Sequence, residues 1–141
     1  MRPTRIEHIG IAVNSLSDAI PFYEKVLGLK CYNIEEVSDQ KVRTAFFMVG
    51  QTKIELLEST DPEGPIGKFI EKKGDGIHHI AFSVEKIEDQ LDHASKMGVK
   101  LIDTTPRKGA EGMDIAFLHP KSTSGVLIEL CEKPLETNGL G

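Results

Sequence analysis

The chain reads as an α+β fold in which two tandem βαβββ modules build one curved, cupped mixed sheet. Three observations predict it. A segment around residue 8 returns around residue 79. Each copy opens on strictly alternating apolar residues, and each alternating run leads into apolar residues at helical spacing that stop near a glycine.

The repeat is direct: Ile6-Glu7-His8-Ile9-Gly10-Ile11-Ala12-Val13 returns as Ile77-His78-His79-Ile80-Ala81-Phe82-Ser83-Val84, an offset of 79 − 8 = 71 residues. It continues through Leu16 and Ile87, Asp18 and Asp89, and Ile20 and Leu91, and then Gly28-Leu29-Lys30 matches Gly98-Val99-Lys100. Near the ends, Ile54-Glu55-Leu56 answers Ile128-Glu129-Leu130, an offset of 129 − 55 = 74, so loop lengths differ by only a few residues. The chain is a single domain over 1–141, with module one at about 5–58, a connector at about 59–76 and module two at about 77–132.

Each element follows from its residues. The alternating openings are strands. Leu16, Ile20, Phe22, Tyr23, Val26 and Leu27 predict the first helix, closed by Gly28, and Ile87, Leu91 and Ala94 predict its counterpart, closed by Gly98. Strand-forming runs follow at about 30–37, 41–49 and 52–58, then at 99–103, 112–118 and 125–132. The connector carries Pro62, Gly64 and Pro65 and a short helix around 66–71.

With 39% hydrophobic and 28% charged residues, a chain of this length buries roughly two thirds of its unfolded surface and needs no staple to fold. Two separated cysteines, Cys31 and Cys131, point away from a secreted disulfide framework and toward a reducing cytoplasm. The N-terminus has no apolar signal-peptide region, and no stretch reaches the roughly 18 apolar residues of a membrane helix. A net charge of −5 argues against nucleic acid as a partner. Lys72-Lys73 and Arg107-Lys108 remain as local basic patches that are either solvated surface or contacts for an anionic ligand.

Strand alternation places His8, Gly10 and Ala12 on one face and Ile9, Ile11 and Val13 on the other, with His79, Ala81 and Ser83 matching them in the second copy. The bulky face packs under a helix; the other carries one histidine and then small residues, leaving room for a ligand. Glu55 and Glu129 sit in otherwise apolar strands, where an unpaired carboxylate costs several kcal/mol, so each faces solvent, a partner or a cation. A lone strand histidine is an ordinary core residue. Four matched positions point instead to a metal: His8, Glu55, His79 and Glu129 meeting about a pseudo-twofold axis would suit Mn, Co, Ni, Zn or Fe(II) and leave positions open for water or substrate. His78 breaks the symmetry, because Glu7 is its counterpart, and reads as supporting or structural.

At these residues the chain resembles the vicinal oxygen chelate superfamily. It is most similar to the methylmalonyl-CoA epimerases, in Ile6 to Val13, in Gly76-Ile77-His78-His79-Ile80-Ala81-Phe82, and in Phe117-Leu118-His119-Pro120-Lys121-Ser122 with Gly125 to Leu130. Glyoxalase I enzymes share the four ligands but usually carry an Asp-Pro-Asp-Gly-like turn where this chain has His119-Pro120-Lys121-Ser122. The resemblance implies interconversion of (R)- and (S)-methylmalonyl-CoA, one divalent ion (Co2+ ahead of Mn2+, Ni2+ or Zn2+), an acyl-CoA as small-molecule partner and a homodimer. It makes Glu129 both ligand and catalytic base. Several epimerases have a glutamate where alignment puts Thr44, which is no strong base; the proton on that face falls to Glu55, to a water held by Thr44 or to another carboxylate. Lys121 and Ser122 are either contacts to the malonyl carboxylate or CoA phosphates, or a solvated turn. A glyoxalase I-type isomerase and a metal-free binding or resistance protein on the same scaffold are the alternatives.

Overall fold

The computed structural model describes residues 2–134. One eight-stranded mixed sheet runs in the order β2-β3-β4-β1-β5-β8-β7-β6, so the second module repeats the first outward from the centre. Its strands are β1 Arg5–Ala12, β2 Cys31–Val37, β3 Val42–Val49, β4 Thr52–Ser59, β5 Gly76–Ser83, β6 Arg107–Lys108, β7 Asp114–Leu118 and β8 Ile128–Glu132. Helices α1 Leu16–Pro21, α2 Pro65–Lys73 and α3 Ile87–Lys96 complete it. Within each module the opening strand pairs in parallel with the closing one, β1 with β4 and β5 with β8; β1 and β5 join the modules antiparallel.

The bulky faces lie where the alternation puts them. Under α1, Val13, Leu16, Ala45, Phe47 and Leu56 form one buried cluster with Ile11, Ile20 and Tyr23 against it, and under α3, Val84, Ile87, Leu91, Ala116 and Leu130 form its counterpart. Each fully buried aliphatic side chain contributes roughly 1.5–3 kcal/mol by leaving water.

A carboxylate from the end of each closing strand caps a helix. The Leu16 N–H donates to Glu58 Oε1 at 2.7 Å, and the Ile87 N–H donates to Glu132 Oε1 at 2.8 Å. Each partners a backbone donor that has no helical acceptor and puts negative charge at the positive end of the helix.

Two elements differ from expectation. The first helix does not run evenly to Gly28: Pro21 ends the α-helical stretch, and a wider turn spans Phe22–Val26, where the Leu27 N–H reaches back to the Phe22 carbonyl. Phe22, Val26 and Leu27 are consequently exposed, while Ile20 and Tyr23 pack inward. The strand expected at 99–103 is reduced to a single bridge, Leu101 with Leu118. Asp103 Oδ2 accepts the Phe117 N–H at 2.9 Å, taking the place of a backbone carbonyl, and the two-residue β6 supplies the outer pairing instead.

The seam between modules carries two matched irregularities. Pairing runs Ile6 with Phe82 and then His8 with Ala81, leaving out Glu7; it runs Gly10 with His79 and then Ile11 with Ile77, leaving out His78. A β-bulge re-aims the residue it leaves unpaired. Glu7 is 1% exposed, and His78 lines the main cavity, so both bulged residues turn toward the functional face.

Candidate active site

The concave face gathers its polar side chains at the centre. His8 from β1, His79 from β5 and Glu129 from β8 have one donor atom each within 4.8 Å of the others. His8 Nε2 lies 3.0 Å from His79 Nε2 and 3.4 Å from Glu129 Oε1, while His79 Nε2 lies 2.9 Å from the same oxygen. Glu55 stands on the other flank, its Oε2 3.2 Å from His8 Nδ1. All four are buried. The fold thus brings together the four residues singled out by repeat position, three tightly and Glu55 against the far nitrogen of His8.

Strand neighbours make the space. Gly10 stands opposite His79 in the ladder and Ala81 opposite His8. A Cβ at Gly10 would come 2.3 Å from Cε1 of His79, so the ring occupies room that only glycine leaves.

Around this centre lies a charge cluster that sequence reasoning missed. Glu7 Oε1 is 2.5 Å from His8 Nδ1, and Glu7 Oε2 is 2.7 Å from Lys53 Nζ, a nearly buried ammonium that also contacts Glu111 Oε1 at 2.5 Å. Glu111, held at φ 59°, further accepts from Tyr32 Oη at 3.1 Å, and its N–H donates to Glu35 Oε1 at 3.0 Å. A loop of module two is thereby fastened to β2 and β4 of module one. The one signal for Lys53 was its place on the Glu55 face of β4; Glu111 lies on a loop and gave none. On the other side the Cys131 thiol donates to Glu129 Oε2 at 3.1 Å, and His78 Nδ1 lies 2.9 Å from His79 Nδ1.

The electrostatics are those of a cage built for a cation. Burial disfavours charge on His8, but Glu55, Glu129 and Glu7 outweigh it and push the imidazole up to about 10. Burial pushes the Glu55 carboxyl up to about 7 against the pull of His8. Glu129 is driven well below the carboxylate range, since hydrogen bonds from His79 and His8 exceed its burial cost. Burial pushes His78 down to about 4, so it is neutral near pH 7. Donor separations of 2.9 to 3.4 Å match what atoms about 2.1 Å from one shared ion adopt around it. The residues present fit one divalent ion, with His8, His79 and Glu129 as donors, while Glu55 contacts Nδ1 of His8 rather than the side of the ring that faces the other donors.

The centre forms part of the wall of a cavity of about 230 Å3 whose remaining walls are largely apolar, including Val42, Leu57, Ile66, Met113, Ile115 and Phe117. Thr44 is 1% exposed and lines it. Lys121 and Ser122 are exposed on the turn at 120–122 and do not line this cavity; Ser122 Oγ instead accepts the Lys100 N–H at 2.9 Å. Arg107, above the Phe117 ring, lines the cavity and contacts Asp103.

A curved sheet of paired βαβββ modules with a two-histidine, two-glutamate centre defines a class of metal-centred scaffold, and the chain belongs to the Glyoxalase/Bleomycin resistance protein/Dioxygenase superfamily, whose profile matches residues 7–117. More particularly, it is 37% identical to the mitochondrial methylmalonyl-CoA epimerase of Dictyostelium discoideum, over 92% of this chain and 78% of that one. It is also 52% identical to the Bacillus subtilis protein YqjC, over 91% of each. A variant of Streptomyces coelicolor methylmalonyl-CoA epimerase in complex with 2-nitronate-propionyl-CoA superposes with a TM-score of 0.91 at 36% identity, covering 94% of this chain and 96% of that one. The resemblance read from the sequence is borne out.

Proposed function

We propose that this chain is a methylmalonyl-CoA epimerase, moving one proton between the faces of the carbon that lies between thioester and carboxylate. One observation carries the reading: in a chain similar to such epimerases, carboxylates stand on two flanks of a buried two-histidine centre that opens on an apolar cavity. A divalent ion held by His8, His79, Glu129 and Glu55, Co2+ ahead of Mn2+, Ni2+ or Zn2+, would act as a Lewis acid toward the substrate oxygens, worth several kcal/mol of barrier.

Glu129 is ionised, fixed by Cys131 and both histidines, and takes the α-proton from one face. The electrons left on carbon delocalise into the thioester carbonyl. Glu55, a carboxylate on the flank of the centre away from Glu129, serves the opposite face. Thr44 orients substrate rather than acting as a base. The enzyme works in the cytoplasm as a homodimer on a small acyl-CoA.

Threonine at position 44, where several epimerases carry glutamate, favours a second reading: a glyoxalase I-type isomerase, which shares the four ligands. Incubating the protein in D2O with methylmalonyl-CoA, beside methylglyoxal plus glutathione, tests both. Deuterium entering the α-position of the CoA ester with no lactoylglutathione formed is the expected outcome; the reverse assigns the second reading.

A further inference from the structure

We propose that the cavity beside α2 receives the phosphate-bearing end of coenzyme A, an inference that rests on an acyl-CoA being the substrate. The main cavity, about 230 Å3, falls below the roughly 300–1,000 Å3 of sites that enclose a drug-sized ligand. It holds the acyl group and part of the arm behind it, and the rest of CoA must leave across the rim. A second cavity of about 380 Å3 adjoins it, and Pro65 and His78 line both. An arm passing over these two residues arrives at Lys68, Lys72 and Lys73.

The chemistry there suits phosphate. Among the described residues Lys68, Lys72 and Lys73 make no ion pair, as is true of most lysines here, and what sets them apart is that all three line one cavity. All three are exposed, yet they converge on one concave surface. Lys73 Nζ lies 5.6 Å from the centre of the Phe69 ring, and Phe69 meets His78 edge to face at 5.1 Å. That aromatic step, with Pro65, gives an apolar floor for the pantetheine arm between the acyl site and the lysines. Glu63 and Glu71 line the same cavity and leave one excess positive charge, set against a diphosphate and a 3′-phosphate that bring several negative ones. The end of α2 would attract lysines for its own sake, because cations favour a helix C-terminus; only a phosphate role makes them matter to CoA.

Binding separates the two. Lys68→Gln, Lys72→Gln and Lys73→Gln combined, a set that removes the charges but keeps polar, flexible side chains, is compared with wild type by calorimetric titration with CoA and with methylmalonyl-pantetheine, which lacks the nucleotide and its phosphates. The affinity for CoA should fall at least about tenfold more than that for the pantetheine ester, and the salt dependence of CoA binding should flatten. Equal losses for both ligands, or a CoA affinity within twofold of wild type, overturn the phosphate site while leaving the epimerase reading intact. A wild type that binds neither CoA nor the pantetheine ester overturns both together.

Discussion

His8 Nε2 and His79 Nε2 face each other at 3.0 Å across the seam where β1 pairs with β5. Two imidazoles from separate modules, with a shared carboxylate oxygen 2.9 and 3.4 Å away, are placed for one ion. Elemental analysis of the purified protein should find one divalent metal per chain. Chelator should remove it along with epimerisation, and single-ion reconstitution should rank Co2+ first. His79→Ala should carry less than about a tenth of the metal under the same conditions. Full activity after exhaustive chelation sinks the assignment.

Glu129→Gln should separate base from ligand. The amide can still offer an oxygen to a metal but cannot accept a proton, so solvent deuterium incorporation at the α-carbon should slow by about 100- to 10,000-fold at saturating metal. Exchange from either epimer at the wild-type rate would leave Glu129 a ligand only and move the search to Glu55 and to a water held by Thr44.

Gly10→Ala is a steric test of the seam. The added methyl would meet the His79 ring at 2.3 Å, so the imidazole must rotate away from His8 and Glu129. Overpacking of this kind costs about 1–3 kcal/mol. Metal affinity should fall by at least about tenfold in a protein that still unfolds in one transition; an unaltered affinity would show that the ring has other room.

The paired helix caps should behave alike. Glu58→Gln and Glu132→Gln each weaken one charged acceptor at a helix start, and each should cost about 1 kcal/mol in denaturant unfolding. Because they serve different modules, the double variant should lose the sum. No loss in either would mean that water caps these helices as well.

A homodimer is expected in solution. Ile6 and Ile77, one residue from matching bulges, are 40% and 62% exposed, and the edge strands β2 and β6 lack outer partners among the described residues. Sedimentation at micromolar concentration should give twice the chain mass, and a monomer there decides against it.

What could be read in advance was whatever repeats or alternates. His8, Glu55, His79 and Glu129 were legible because period-two alternation fixes a face and the 71- and 74-residue offsets mark positions twice. Glu58 and Glu132 sit at equivalent places too, but a strand-end carboxylate looks like any solvated one until the helix above it is known. Glu7 was hidden by its bulge, since strict alternation sends it to the opposite face from His8. The strand expected at 99–103 failed because Asp103 bonds the chain sideways, which propensity does not register. Lys121 and Ser122 entered through a family turn alone, and their backbone places them outside the main cavity.

The Glu111 fastening gives the cleft an unusual mechanics. The modules are riveted at the back by the β1–β5 ladder and again across the front, where Glu111 grips Lys53 and Tyr32. The Glu55 and Glu129 walls thus belong to a frame tied at two places, and widening the gap between them means parting the Glu111 contacts as well as bending the ladder.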